Sequence, residues 1–433
     1  MQEIKPLTLR RNFSWTFIGN TVYVACQWGM LVVLAKLGRP EMVGQFTLGL
    51  AVTAPVVMLT NLQLRVVQAT DAKKEYLFGD YLALRIIGAA LALLVISIIL
   101  LTSQYRWETC VVIFLVGLAK ICESISDIFH GLIQQHERMD RIAISLIIKG
   151  PLSLLLLGIG VFITGNLLWG VIGLVFAWLV VLISYDIPSG AEILNRMSKV
   201  EDRAFTFQPR WHLATVKKLA WLCFPLGFVM MLVSLNTNIP RYFIAQYLDE
   251  RSLGIFAALA YLMVGGKIVV NALAESSSPR LAKYYAQGNG IAFRKLLLKL
   301  VGIAAVQGVI VILVAVVGGK EILTILYKPE YAQHADLFVL LMIAATIDYI
   351  STFLSYGMTA ARYFRIQMPL LAAVSTISAI ACLFLIPIRG LHGAAIALII
   401  ATLFSAGGSL GVILYALHKL KSRPYKEQEY DII

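Results

Sequence analysis

The feature that most constrains this chain is a series of long apolar runs, about 12 of them and roughly 20 residues each. A helix needs about 20 apolar residues to cross the hydrocarbon core of a bilayer. The composition agrees, because 59% of the 433 residues are hydrophobic and 14% are charged, whereas a soluble domain is roughly 25% charged. The sequence therefore predicts an all-α polytopic membrane protein.

Polar links and helix breakers mark the ends of the predicted spans. About 180 residues remain for loops and tails, which excludes a folded extramembrane domain of ordinary size. The predicted spans cover residues 13–36, 43–67, 81–102, 108–132, 142–164, 167–187, 215–240, 252–274, 296–317, 335–360, 368–388 and 391–418.

Lys and Arg residues fall mainly into alternate links between the spans. With the N-terminus inside, the inner segments hold about 25 basic residues and the outer segments about 8. Cytoplasmic loops carry such an excess, so we expect an even number of spans and both termini in the cytoplasm. The formal net charge of +13 then indicates topology and contact with anionic lipid headgroups, and no nucleic acid partner is expected.

The two halves of the chain carry similar motifs. The segment LAKLGRPEMVGQF (34–46) resembles IAQYLDERSLGIF (244–256), an offset of 210 residues. The same offset aligns Asn61 with Asn271. Because each motif occupies the same place in its half, we expect two parallel repeats related by an axis along the membrane normal.

A polar segment between the halves divides the spans six and six. We expect a six-helix lobe over 1–187, a cytoplasmic linker loop over 188–214, and a second six-helix lobe over 215–433 that ends in a short basic cytoplasmic tail. Two such lobes would enclose a central cleft, a geometry that suits alternating access.

No catalytic motif stands out. The sequence has no HExxH, Walker A or GxSxG pattern, and its five cysteines show no CxxC spacing. We predict no catalytic residue, no metal and no cofactor. The sequence favours a transporter over an enzyme.

Polar residues within the spans are the candidate site, because charge inside a bilayer is costly and faces a bundle interior or a watery cavity. Asn61 and Arg65 are four residues apart on span two, and Lys267, Asn271 and Glu275 share a helix face on span eight. We expect the bases and the asparagines to line the cleft and bind an anionic substrate rich in hydroxyl groups. The alternative is that Arg65 and Glu275 extend to the inner interface.

Spans one and seven carry side chains that suit sugar binding, because amides bond hydroxyl groups and aromatic rings stack on sugar rings. These residues are Asn20, Gln27, Trp28, Asn236, Asn238, Arg241 and Tyr242. Pro240 is expected to break span seven between them. The alternative is amide bonding between helices, which is common in bundles.

A third group lies on spans four and five and comprises Lys120, Glu123, Asp127 and Lys149. Asp127 and Lys149 fall at similar depth, so we expect adjacent antiparallel helices to pair them. A structural ion pair is the favoured interpretation, and a proton or cation relay is the rival. Glu275 and Asp348 are further candidates for either role.

Five segments carry a family resemblance: NFSWTFIGNTVY (12–23), LAKLGRPEMVGQFTLGLAVTAP (34–55), LRVVQATD (64–71), RYFIAQYLDERSLGIFAALAY (241–261) and ALAESSSPRLAKYYAQGN (272–289). In these, the chain resembles the multidrug/oligosaccharidyl-lipid/polysaccharide (MOP) flippase superfamily. Within it, the chain looks most like the bacterial polysaccharide-biosynthesis branch, the Wzx-type O-antigen flippases.

The resemblance implies a bacterial inner-membrane protein that moves an undecaprenyl-diphosphate-linked oligosaccharide, an O-antigen, capsule or exopolysaccharide repeat unit, to the outer leaflet. It implies a cationic cavity for the diphosphate, for which Lys267, Arg65 and Arg241 are the matching residues. It also implies transport driven by a proton or sodium gradient, without direct use of ATP, alongside other membrane proteins of polysaccharide assembly.

Three alternatives share some of these features. A MATE-type drug exporter usually meets its cationic substrates with acidic residues, but span one has no Asp or Glu and the candidate site is net basic. A lipid II flippase usually has extra helices. A polymerase or ligase of the same pathway usually has a large periplasmic loop, and no outer loop here is long enough.

Overall fold

The computed structural model describes residues 7–71, 75–201 and 208–421, and all regular structure in these ranges is helical. The elements are α1 (Leu9–Leu37), α2 (Pro40–Asn61), α3 (Leu64–Thr70), α4 (Phe78–Thr102), α5 (Trp107–Gln135), α6 (Met139–Thr164), α7 (Leu167–Val181), a π-helical turn (Leu182–Asp186), α8 (Ile187–Glu201), α9 (Leu213–Tyr247), α10 (Glu250–Ala286), α11 (Gly290–Leu326), α12 (Pro329–Ala332), α13 (Ala335–Ala360) and α14 (Phe364–Lys421).

Eleven helices in the described ranges are long and apolar enough to cross a membrane. The last of them, α14, is interrupted at Gly390, where φ is 57° and ψ is −134°. Only glycine adopts this backbone conformation readily. The interruption divides α14 into two segments at the predicted link between spans eleven and twelve, so the number of spans is 11 or 12, as expected.

The chain divides into two compact units, Met1–Ser234 and Leu235–Ile433. In the first unit α5 is the central helix and contacts α2, α3, α4 and α7, while α1 packs along α6. The α1–α6 contact requires glycine at position 19, because a Cβ atom there would lie 2.7 Å from the Cα atom of Ala143. Small residues allow this close approach between membrane helices.

In the second unit α13 is the central helix and contacts α10, α11 and α14. Its aromatic residues Tyr349 and Phe353 are buried in a core that also holds Phe293 and Leu297 of α11. The Tyr349 hydroxyl donates a hydrogen bond of 2.9 Å to the Met263 carbonyl of α10. Each unit is therefore built around one helix that reaches most of the others.

The second predicted span is interrupted, which the sequence did not indicate. The α2 helix ends at Asn61, and α3 begins at Leu64 after Leu62 and Gln63, which both have a φ of 52°. Two consecutive left-handed residues turn the chain. The expectation that Asn61 and Arg65 share one face of a continuous helix is therefore wrong.

Two other boundaries differ from the predicted ones. Residues 187–201 form helix α8 instead of a loop, because Ile193 and Leu194 are buried and Glu192 pairs with Arg141 at 2.8 Å. Helix α9 continues through Pro240 to Tyr247, so the predicted break at Pro240 is wrong. Proline is tolerated within membrane helices where neighbouring groups satisfy the freed backbone.

The remaining domain predictions meet the structure in part. The boundary between the two compact units lies within α9 instead of in the polar segment 188–214. Residues 202–207 of the predicted linker and the predicted basic tail after residue 421 lie outside the described residues. The internal repeat stays a prediction, which two observations support: α2 and α10 begin 210 residues apart, and both Phe46 and Phe256 are buried.

Candidate functional site

A half-exposed ion pair joins α10 to the central helix of the second unit. The Lys267 Nζ atom lies 2.5 Å from the Asp348 Oδ2 atom, and the two side chains are 41% and 26% exposed. Asn271, half-buried, and Glu275, exposed, follow Lys267 at one-turn intervals on α10. Because Asp348 already neutralises Lys267, an anionic ligand would bind this lysine by competing with the carboxylate.

The amides of the seventh predicted span lie on α9. The Arg241 guanidinium donates a hydrogen bond of 2.8 Å to the Asn238 Oδ1 atom one turn earlier, and Asn238 is buried. Asn236 and Tyr242 are half-buried. The arginine and one of the amides therefore contact each other within one helix, whereas the alternative given by the sequence was amide bonding between helices.

Arg65 forms the corresponding half-exposed ion pair in the first unit. Its NH1 atom lies 3.0 Å from the Asp127 Oδ1 atom on α5, and its Nε atom donates to Gln134 Oε1 at 3.1 Å. The Arg65 and Asp127 side chains are 31% and 34% exposed. This cation is also held by a carboxylate on the central helix of its unit.

Asn61 has a structural environment that the sequence did not reveal. The Arg85 guanidinium of α4 donates to the Asn61 side-chain oxygen and, at 2.9 Å, to the Ser124 hydroxyl. Ser124 in turn donates to Asn61 at 2.5 Å, and Arg85 is only 1% exposed. Asn61 therefore binds a buried arginine at the end of α2, and its predicted place in the lining of a cleft stays a prediction.

Lys149 and Asp127, the pair expected across spans four and five, have different partners. The Lys149 Nζ atom lies 3.3 Å from Asp186 Oδ2 in the π-helical turn and 3.0 Å from the Ser126 hydroxyl. Asp127 pairs with Arg65. The expectation failed because Asp186 is at the end of span six, on a helix that also packs against α5.

The other charged residues of span four interact within the first unit. Lys120 lies 2.8 Å from Glu123, which accepts a hydrogen bond of 2.6 Å from the Tyr23 hydroxyl of α1. The Lys120 Nζ atom also lies 5.0 Å from the centroid of the Trp178 ring, a cation–π contact. These contacts favour the structural interpretation of the Lys120–Glu123 pair.

The polar residues of span one differ in their exposure. Asn20 is exposed, whereas Gln27 and Trp28 are half-buried. The buried Nε1 atom of Trp28 has no hydrogen-bond partner within the described part of the chain. Across residues 7–71, 75–201 and 208–421, no group of His, Cys, Asp and Glu residues is arranged to hold a metal ion.

Comparison with the sequence models of protein families shows the family to which the chain belongs. The model described as "Polysaccharide biosynthesis protein" matches residues 9–285, a range that contains the whole first unit after α1 begins and continues to the end of α10. The chain belongs to the polysaccharide biosynthesis protein family.

One curated relative supports this membership over almost the whole chain. The chain is 27% identical over 398 residues to the capsular polysaccharide biosynthesis protein CapF of Staphylococcus aureus, and the match covers 90% of this chain and 96% of CapF. The family resemblance given by the sequence motifs is confirmed.

Two solved structures show the fold of this family member. The inward closed conformation of the lipid II flippase MurJ matches with a TM-score of 0.68 at 13% identity, over 96% of this chain and 89% of MurJ. An inward-facing multidrug resistance MATE family transporter of the MOP superfamily matches with a TM-score of 0.61 at 13% identity, over 94% and 98% of the two chains. The protein is an all-helical multi-pass membrane protein with the MOP fold, as predicted.

Three residues of this polysaccharide biosynthesis protein were missed by reasoning from the sequence. Arg85, His130 and Asp186 are 1%, 3% and 0% exposed. Each lies inside a predicted apolar span, and an ionisable residue in such a span is a functional hypothesis by default. That rule, applied to every span, would have identified all three.

Proposed function

We propose that this protein moves an undecaprenyl-diphosphate-linked oligosaccharide, an O-antigen, capsule or exopolysaccharide repeat unit, from the cytoplasmic to the outer leaflet by alternating access. It acts in a bacterial cytoplasmic membrane with both termini inside, as a transporter and not as an enzyme. Membership of the polysaccharide biosynthesis family and the fold shared with a lipid II flippase support this class of substrate.

One observation carries the proposal: Lys267 and Arg65 are half-exposed cations within apolar helices. A charge in a bilayer is costly unless it serves a partner or a watery path. Each is held by a single carboxylate that leaves much of the cation accessible. A diphosphate, with several charged oxygens, is a suitable competitor for both.

Amide groups support the oligosaccharide part of the proposed substrate. Asn271 follows Lys267 by one turn on α10, while Arg241 and Asn238 lie on α9 of the same unit. Such groups bond hydroxyls without requiring one particular sugar. We propose Lys267, Arg65 and Arg241 as diphosphate contacts and Asn20, Gln27, Asn61, Asn236, Asn238 and Asn271 as candidates for the sugar contacts.

The test uses a strain that lacks the gene. We expect lipid-linked repeat units to accumulate there and to be accessible to a membrane-impermeant glycan-modifying reagent only from the cytoplasmic side. A gene copy that encodes the natural protein should restore access from outside. Normal delivery of the glycan to the outer leaflet without the gene would disprove the proposed function.

Matched variants then test the role of Lys267. Lys267→Ala should reduce the glycan on the outer leaflet more than about tenfold, since it removes a charge-assisted contact of roughly 1.5–3 kcal/mol. Lys320→Ala, which removes an exposed lysine of α11 in the same unit, is the control and should complement fully. Full complementation by Lys267→Ala at equal expression would remove Lys267 from the site.

The MATE-type alternative has its own readout in the same strain. A drug exporter would change the resistance of the cells to cationic compounds. We expect no such change, because the half-exposed carboxylates of Asp127 and Asp348 are already paired with Arg65 and Lys267.

A further inference from the structure

His130 of α5 lies between two carboxylates in the first unit. Its Nε2 atom is 3.3 Å from Asp186 Oδ1 and its Nδ1 atom is 4.0 Å from Asp127 Oδ1. The side chain is 4% exposed. A neutral imidazole carries one N–H group, so with Nε2 donating to Asp186, the lone pair of Nδ1 faces Asp127.

Four charged groups face this ring, and their charges balance. Asp127 lies on the same helix, Asp186 in the π-helical turn, Lys149 on α6 and Arg65 on α3. Two carboxylates and two basic side chains leave no net charge around the imidazole. Other charged side chains on neighbouring elements have their own partners: Arg85 with Asn61 and Ser124, Glu192 with Arg141, and Glu123 with Lys120.

The charge balance around His130 depends on one half-exposed ion pair, that of Arg65 with Asp127. Asp186 and Lys149 are 0% and 1% exposed, and they have no path by which to exchange partners with a ligand. Arg65 and Asp127 are about one third exposed. A ligand that takes Arg65 away from Asp127 therefore changes the charge beside the ring without entering the core.

We infer that His130 is a proton-binding site and that capture of Arg65 by an anionic ligand loads it with one proton. When a diphosphate takes over the Arg65 guanidinium, Asp127 is left as an unpaired carboxylate beside His130 Nδ1. A proton taken from water along the half-exposed Asp127 side chain then binds to Nδ1, and the new N–H group faces Asp127. Substrate binding and proton uptake are coupled within the first unit.

This inference rests on the proposed function, since it takes the diphosphate as the anion. It also predicts the direction in which binding affinity changes with pH. Because the bound state holds one proton more than the free state, binding strengthens as the pH falls. For one proton the dissociation constant changes by about tenfold per pH unit.

The test measures binding of undecaprenyl diphosphate to the full chain in detergent micelles by calorimetry. Titration in two buffers with different ionisation enthalpies gives the number of protons taken up. The ligand's own ionisation contributes equally in all variants. The quantity to compare is therefore the difference in proton uptake between the natural protein and each variant. Asp127→Asn is the main variant because its exposed position spares the fold, and His130→Gln is the second.

We expect the natural protein to take up about one proton more per ligand than either variant, with a correspondingly steeper pH dependence. Asp127→Asn should also bind more tightly at high pH, because Arg65 is released from its carboxylate. Equal proton uptake by the natural protein and Asp127→Asn would overturn the inference while leaving the proposed function intact. Absence of binding to the natural protein would overturn both.

Discussion

The Lys267 Nζ atom on α10 lies 2.5 Å from the Asp348 Oδ2 atom on α13, and Arg65 on α3 lies 3.0 Å from Asp127 on α5. In each unit, a half-exposed cation from the second predicted span of that half is held by a carboxylate of the central helix. An anionic ligand must separate each ion pair before it can interact fully with the lysine or the arginine. In the proposed flippase, these carboxylates would limit how strongly the diphosphate is held and so favour its release.

Asp348→Asn should strengthen binding of undecaprenyl diphosphate and slow its release. Removing the competing carboxylate frees Lys267, and a partly exposed pair of this kind contributes about 0.2–1 kcal/mol. The dissociation constant should fall by a factor of about 1.4 to 5, while transport becomes slower. Calorimetry on the purified protein measures the affinity, and a weaker affinity than that of the natural protein would show that Asp348 supports ligand binding directly.

Lys149→Met should destabilise the first unit far more than substitution of both partners. Lys149 and Asp186 are 1% and 0% exposed, and loss of one partner leaves a buried charge unpaired, at a cost of about 3–5 kcal/mol. The double variant Lys149→Met with Asp186→Asn removes both charges. Its midpoint of thermal unfolding in detergent should lie closer to that of the natural protein. A double variant that is less stable than Lys149→Met would contradict the charge argument.

Most of the fold was predictable because span length and breaker residues are local signals. The apolar stretch 335–360 corresponds to α13 without error, and the link that contains Gly390 lies where a left-handed glycine interrupts α14. The break at Leu62 and Gln63 was not predictable, because neither residue type favours a positive φ. The extension of α7 into α8 was not predicted because polar residues lie on both sides of Ile193 and Leu194 in the sequence.

The sequence predicted which residues belong to the candidate site, but it did not predict most of their interaction partners. Charged residues in apolar spans identified Lys267, Arg65 and Asp348, but helix periodicity does not reveal which helices are neighbours. Asp186 became the partner of Lys149 because α7 packs against both α5 and α6. Such contacts depend on which helices pack against each other, and a single sequence does not specify this.

Gln63→Gly should stabilise the protein. Gln63 has a φ of 52° directly after Leu62 with the same φ, and a left-handed non-glycine residue costs roughly 1–2 kcal/mol. Glycine removes this strain but adds entropy to the unfolded chain, so the net gain should be about 0.5–1 kcal/mol. Gln63→Ala keeps a Cβ atom and is the control. Equal unfolding midpoints for the two variants would show that the break is not strained.

Gly19→Ala should destabilise the contact between α1 and α6. The added Cβ atom would lie 2.7 Å from the Ala143 Cα atom and 2.9 Å from its Cβ atom, and backbone atoms cannot move aside as a flexible side chain would. The two helices must separate, at a cost of about 1–3 kcal/mol. Gly302→Ala on α11 is the matched control, because a Cβ atom there meets nothing within 4 Å and alanine is the better helix former. Thermal unfolding in detergent should therefore give a lower midpoint for Gly19→Ala and an unchanged or higher one for Gly302→Ala, and equal midpoints would mean that α1 and α6 do not pack this closely.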